Sequence, residues 1–152
     1  MTWTHNNTLF ESIPDDCTAI GFVYLITNID SNKKYIGKKN FYTNRTKVKT
    51  VTLKTGLKKK KNVKVKAESD WMNYYGSSEE LKKDVELHGT EKFTRQILRL
   101  CYTKGELSYY EIKEQLHNDV LLYPEKWYNS WVSCKIHRLH LKSISQHPQE
   151  PM

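Results

Sequence analysis

The sequence predicts an α/β (α+β) domain built on a small, mainly antiparallel three-stranded sheet flanked by helices. Three observations lead there. Two short apolar runs, GFVYLITN from Gly21 and KYIGKK from Lys34, are separated by polar turn residues. A third run, FTRQILRL from Phe93, has a similar aromatic and aliphatic make-up, as strands of a half-buried sheet do. Around the third run lie stretches that begin with helix caps and carry apolar residues at helical spacing. At 152 residues the chain suits one domain with a respectable core,.

The elements follow in order. Residues 1–18 hold turn residues and no period, so an irregular N-terminal segment is expected, with Phe10 and Ile13 tacked onto a domain spanning 19–142. The first two runs make an antiparallel hairpin, because Asn28, Asp30 and Ser31 suit a turn of about five residues,. Next, TKVKTVTLKT and NVKVK alternate Thr and Val with Lys. That pattern is β-like, with one face basic throughout and Thr55-Gly56 as the turn. A two-stranded ribbon and a basic loop that orders on a ligand both fit it. Ser77 to Glu80 has the form of a capping box and opens a helix that Gly89 ends,. Thr103 to Glu106 is a second box, opening the longest helix, Glu106 to Leu121. The run WYNSWV closes the core, and residues 143–152 are expected to be disordered,.

Charge narrows the function. Net charge is +8, and fourteen of the 25 Lys and Arg lie between Ser31 and Ala67, where there is no Asp or Glu. The remainder is neutral to acidic. A one-signed block of this size fits a polyanion, of which nucleic acid is the commonest. It lacks the amphipathic helical pattern of a membrane-surface anchor, and no window approaches the ~20 apolar residues of a span. No signal peptide is legible at the N-terminus. The three cysteines, Cys17, Cys101 and Cys134, cannot all pair within the chain, which fits a reducing compartment.

GFVYLITNIDSNKKYIGKK resembles the two-part signature of the GIY-YIG nuclease family. Gly21 to Tyr24 stands for the first part, with one more residue between Gly and Tyr than the plainest form. Tyr35-Ile36-Gly37 matches the second part letter for letter. The resemblance extends over roughly residues 20–140 and is nearest to a phage-borne, homing-like branch. That branch continues with Ser69-Asp70-Trp71, Tyr74-Tyr75-Gly76-Ser77, Phe93 with Arg95 and Ile97-Leu98, and Tyr110-Glu111 through Gln115. Against the plain family pattern, the basic stretch is an insertion after the second strand.

The resemblance implies a metal-dependent endonuclease that hydrolyses DNA phosphodiester bonds. The alternative is a non-catalytic nucleic-acid-binding module with the same fold. Under the first reading Tyr24 and Tyr35 are the conserved pair, one of them activating or positioning water. A free phenol has a pKa near ~10, so this needs a nearby cation or a metal; Lys38, Lys39 and Arg45 are the local cations. Arg45, ten residues past Tyr35, is the candidate for the scissile phosphate, with Lys38 its rival. Glu111 is the expected ligand for Mg²⁺ or Mn²⁺, with Glu114 as the alternative on the same helix. One carboxylate suffices chemically, because Mg²⁺ keeps several waters. DNA is then the partner, held by Lys39, Lys58, Lys59, Lys60, Lys61, Lys64 and Lys66, and the oligomeric state is open between monomer and dimer. The expected setting is cytoplasm, here a bacterial host's. Tyr128-Asn129 resembles the family's closing Tyr-Asn, with a supporting role for the asparagine. Tyr74 and Tyr75 are candidates to replace a histidine used elsewhere in the family. Finally, Cys134, His137 and His140 have a zinc-like spacing without a fourth ligand,; a basic surface helix is the favoured reading.

Overall fold

The structure, a computed structural model, describes residues 1–133 and 135–146. Strands β1 (Trp3–His5) and β2 (Thr8–Leu9) come first, then the hairpin β3 (Gly21–Asn28) and β4 (Lys34–Asn40). A long ribbon, β5 (Tyr42–Thr52) and β6 (Lys58–Glu68), follows. Helix α1 (Glu79–His88), strand β7 (Phe93–Cys101), helix α2 (Lys104–His117) and a terminal α3 (Lys142–Gln146) complete the chain.

The main sheet has five strands in the order β2-β1-β7-β3-β4, not three. The β3–β4 and β3–β7 pairs are antiparallel as expected, but β1 joins β7 in parallel, making the sheet mixed. The reason lies in the N-terminal segment. Trp3 is fully buried, and its indole Nε1 donates to the Trp71 carbonyl at 2.8 Å. One large aromatic thus anchors a strand too short to show a period, in a segment expected to be irregular. At the far end, residues 143–146 are helical where disorder was expected, and 147–152 lie outside the described residues.

Two clusters cover the two faces of the sheet. On one, Trp3, Phe22, Tyr24, Phe41, Trp71 and Leu81 form an aromatic core beneath α1. On the other, Val23, Ile36, Cys101, Leu107 and Tyr110 pack β3, β4 and β7 against α2. Cys17 and Cys101 are free thiols, and burial pushes Cys101 up to about 12, which makes it inert,. Cys134 lies outside the described residues.

Helix ends follow their caps. Thr103 and Glu106 form the expected reciprocal box on α2. The helix stops at His117 rather than Leu121, because Asp119 takes a positive φ of 52° and turns the chain. On α1 the cap is Ser78, not Ser77: the Ser78 hydroxyl accepts from Leu81 N at 3.3 Å.

Strand β4 lies at an edge of the sheet, yet its outward backbone groups are engaged in succession. Lys34 pairs with the segment at Lys126 and Tyr128. Ile36 N donates to Asn129 Oδ1 at 3.1 Å, and its carbonyl accepts from Asn129 Nδ2 and Gln115 Nε2. Both amides are buried, and the clamp fixes β4 relative to α2.

Candidate active site

Tyr24 on β3 stands directly opposite Gly37 on β4. Tyr35 and Gly37, two residues apart, share one face of that strand. A Cβ on Gly37 would lie 2.5 Å from Tyr24 Oη, 2.7 Å from Tyr24 Cζ and 2.9 Å from Tyr35 Cε1. Both rings therefore use the space the glycine leaves, with centroids 6.1 Å apart and planes tilted by 38°. Gly76 supports Tyr35 from another side. Its φ of +91° suits glycine, and a Cβ there would approach the Tyr35 ring to 3.2 Å,.

The two phenols are not equivalent. Tyr24 is 1% exposed, whereas Tyr35 lines a cleft of about 440 Å³ with Ser77, Ser78, Asn129 and Trp131. The Tyr35 hydroxyl shares a 2.8 Å hydrogen bond with Ser77 Oγ, in which either oxygen can donate. Ser77 bonds Tyr35 while its neighbour Ser78 caps α1. Burial raises Tyr24 well above the ordinary phenol range, with Tyr35 and Tyr74 adding to it. Burial also raises Tyr35, while the Ser77 bond opposes the shift. Both are neutral phenols at pH 7, suited to holding a water by hydrogen bonds.

Across β4, Lys38 reaches α2. Its Nζ donates to Ser108 Oγ at 2.9 Å and lies 4.0 Å from Glu111 Oε1. Ser108, Glu111 and Gln115 fall at i, i+3 and i+7, a polar stripe of α2 at the edge of β4. The Glu111 side chain is 18% exposed. Burial raises its pKa, opposed by the Lys38 amine and backbone. The same carboxylate acts on both phenols. Tyr24 and Tyr35 lie on one face of β4 and the Lys38–Glu111 pair on the other, with the carboxylate adding to the upward shift of both phenols.

A family profile described as "Putative endonuclease segE, GIY-YIG domain" matches residues 3–132. The chain belongs to the GIY-YIG endonuclease family. No curated protein and no solved structure matches the chain.

The other candidates of this GIY-YIG chain divide sharply. The Glu114 backbone carbonyl accepts from Asn118, and no hydrogen bond joins its side chain to Tyr24 or Tyr35 among the described residues. Arg45 is exposed on β5 opposite Val65 and makes no hydrogen bond or ion pair with the Tyr24–Tyr35–Glu111 group. Lys39 points to the tyrosine face, where its Nζ lies 2.6 Å from Asp70 Oδ1 and 4.0 Å above the Tyr74 ring. That hydrogen bond holds Asp70 below the usual carboxylate range. Tyr74 meets Tyr24 edge-on with centroids 6.0 Å apart. Tyr75 lies elsewhere, stacked under Arg95 and bonded to the N-terminus. Arg95 itself is structural, donating to the carbonyls of Met1, Met72 and Tyr74. Lys58, Lys59, Lys60, Lys61, Lys64 and Lys66 all lie on β6.

Tyr128 ties β3 to α1, accepting from Asn28 Nδ2 at 3.1 Å and donating to Asp84 at 2.7 Å. His137 and His140 cap one another at a short 3₁₀ turn. With Cys134 outside the described residues, no group of three His, Cys, Asp or Glu positioned for a metal occurs among those described. No described helix is long and apolar enough to cross a membrane.

Sequence reasoning missed Ser77, Ser108, Gln115 and Trp131. The polar stripe of α2 was the available signal. A glutamine four residues past Glu111 on one face implies a buried partner. Trp131, 80% exposed at the cleft, carries no local signal.

Proposed function

We propose that this chain is a metal-dependent endonuclease that hydrolyses DNA phosphodiester bonds, of the phage-borne, homing-like kind and working in a bacterial host's cytoplasm. The observations that carry the reading are the Lys38–Glu111 pair, 4.0 Å apart between β4 and α2, and the Tyr35 phenol, which opens onto a cleft from the other face of β4. Hydrolysis needs a placed water and stabilised charge on the phosphate oxygens. Tyr35 Oη, at the cleft wall, holds the attacking water, and Tyr24 braces the ring. The Lys38 ammonium steadies the phosphate; Arg45 is the second candidate for that role, arriving only if DNA brings the ribbon to the site. Lys39 and the β6 lysines hold the DNA.

Glu111 suits Mg²⁺ or Mn²⁺. It is a half-buried carboxylate with a lysine ammonium 4.0 Å away, and burial raises its pKa against that lysine's opposing pull. A hard divalent ion wants that donor and few others. When bound, the metal polarises a phosphoryl oxygen and eases departure of the leaving oxygen.

The test is plasmid nicking with Mg²⁺ against EDTA, alongside Tyr35→Phe, Glu111→Gln and Glu114→Gln. We expect cleavage lost in EDTA and in Glu111→Gln, and retained in Glu114→Gln. Cleavage that survives EDTA or Glu111→Gln would refute the mechanism. Binding without cleavage of any duplex, junction or single strand would favour a non-catalytic binding module.

A further inference from the structure

The β5–β6 ribbon pairs only with itself, in a sheet of its own. Its eleven register pairs run from Tyr42↔Glu68 to Thr52↔Lys58. Residues directly opposite share a face, so the register sorts every charge. Arg45, Lys47, Lys49, Lys59 and Lys61 fall on one face; Lys58, Lys60, Lys64 and Lys66 fall on the other. The sequence suggested a single basic face. That was wrong, because the register sets Lys64 and Lys66 opposite Thr46 and Asn44, on the face away from Lys47 and Lys49, and KKKK over residues 58–61 alternates sides,.

This arrangement is unfavourable in the free protein. Most of the ribbon is exposed and none of it is buried, and a two-stranded hairpin with no apolar cover is marginal. Lys49 and Lys61 stand directly opposite one another, a destabilising like-charge pair. The ribbon is nevertheless firmly rooted. Phe41, just before it, is fully buried. Trp71 Nε1 donates to Glu68 at 2.8 Å, and Ser69 Oγ to the Asn40 carbonyl at 2.6 Å. The root lies directly after Lys38 and Lys39.

A flat anionic surface, or a single strand, would meet one face and leave the other charged in water. A duplex groove has a phosphate wall on each side. Its major groove, about 12 Å wide, admits a two-stranded β-ribbon. Eleven residues at about 3.3 Å each span roughly 36 Å, near one turn of B-form duplex. The major groove of A-form RNA is too deep and narrow to receive such a ribbon.

We infer that the β5–β6 ribbon is an arm that lies along the major groove of B-form DNA, its two cationic faces against the two phosphate backbones. This rests on the DNA reading above and specifies how the substrate is held. The arm makes the substrate double-helical and sets its footprint at about one turn from the catalytic end of β4.

The experiment uses the full chain in EDTA on a 30-base-pair duplex, a single strand and a duplex RNA of the same sequence. Binding is measured by anisotropy across a salt series and by dimethyl sulfate footprinting, which reports guanine N7 in the major groove and adenine N3 in the minor. Lys47→Gln/Lys49→Gln/Lys61→Gln removes three of the five cations of one face, and Lys58→Gln/Lys60→Gln/Lys64→Gln three of the four of the other. We expect guanine N7 protection over about one turn, and loss of about 2.7 from the salt slope in each triple variant, at roughly 0.9 per lost phosphate contact. Loss confined to one variant, adenine N3 protection alone, equal affinity for single strand or RNA, or no duplex binding would overturn the inference. Failure of the nuclease reading looks different: an intact plasmid with Mg²⁺ beneath a normal major-groove footprint.

Discussion

Replacing Gly37 by alanine tests the geometry of the site with a single methyl group. The new carbon would lie 2.5 Å from Tyr24 Oη, and ordinary contact begins near 3.4 Å. The phenol must therefore move by roughly 0.9 Å, or β4 must bend. Tyr24 is fully buried and wedged between Phe22, Tyr35 and Tyr74, so little yields. Overpacking of this kind costs about 1–3 kcal/mol. At roughly 3 °C per kcal/mol for a domain of this size, the melting temperature should fall by about 3–9 °C. Activity should fall further than stability, because a shifted Tyr24 displaces the Tyr35 ring it braces, and misplacement by about 1 Å costs on the order of 10²-fold. The assay is plasmid cleavage at a temperature where calorimetry shows the variant fully folded. Wild-type cleavage in folded Gly37→Ala would refute the claim that the crossed phenols set the chemistry.

Other consequences follow from named contacts. Lys38→Met removes the cation that opposes the burial of Glu111, so the acid limb of the pH–rate profile should move to higher pH; a limb that stays put would separate Glu111 from the rate. The folded chain holds the Glu111 proton more tightly than the unfolded chain. Its contribution to stability is therefore fullest below the unfolded carboxylate pKa and is lost as pH rises through the folded value. Glu111→Gln should accordingly melt higher than wild type at pH 8, with the gap closing in acid, as thermal scans across pH will show. Asn129→Leu orphans the buried Ile36 N–H, while Gln115 still serves the carbonyl. Urea titration should register a loss of about 1–3 kcal/mol. Arg45→Ala should weaken DNA binding and flatten its salt dependence while leaving single-turnover cleavage of saturated complex intact; a large loss in that rate would make Arg45 the phosphate ligand.

Much of this was legible because local signals and tertiary demands agreed. The β3–β4 hairpin, the α2 capping box and β7 each carry their own pattern, and packing had no reason to override it. β1 was not legible, since three residues hold no period and Trp3 is placed by Trp71, far along the chain. Which serine caps α1 was not legible either, because Ser77 instead bonds Tyr35, a residue far back in the chain. The tyrosine pair could be named from the sequence, but not the inequality between the phenols, which depends on burial and on a cleft walled by residues from α1 and the segment after α2. Arg45 followed a linear spacing. The ribbon carries it out of register with β4, so distance along the chain stopped tracking distance in space.

The clamp on Ile36 has a consequence for the handling of this protein. A free β-strand edge recruits other chains, and β4 is long, apolar at its centre and outermost. What blunts it is the short stretch from Lys126 to Asn129, not a further strand. A chain truncated before Trp127 would keep nearly all of its core yet expose this edge. Such a fragment should precipitate through strand addition rather than unfold, and solubility, not melting temperature, would report the loss.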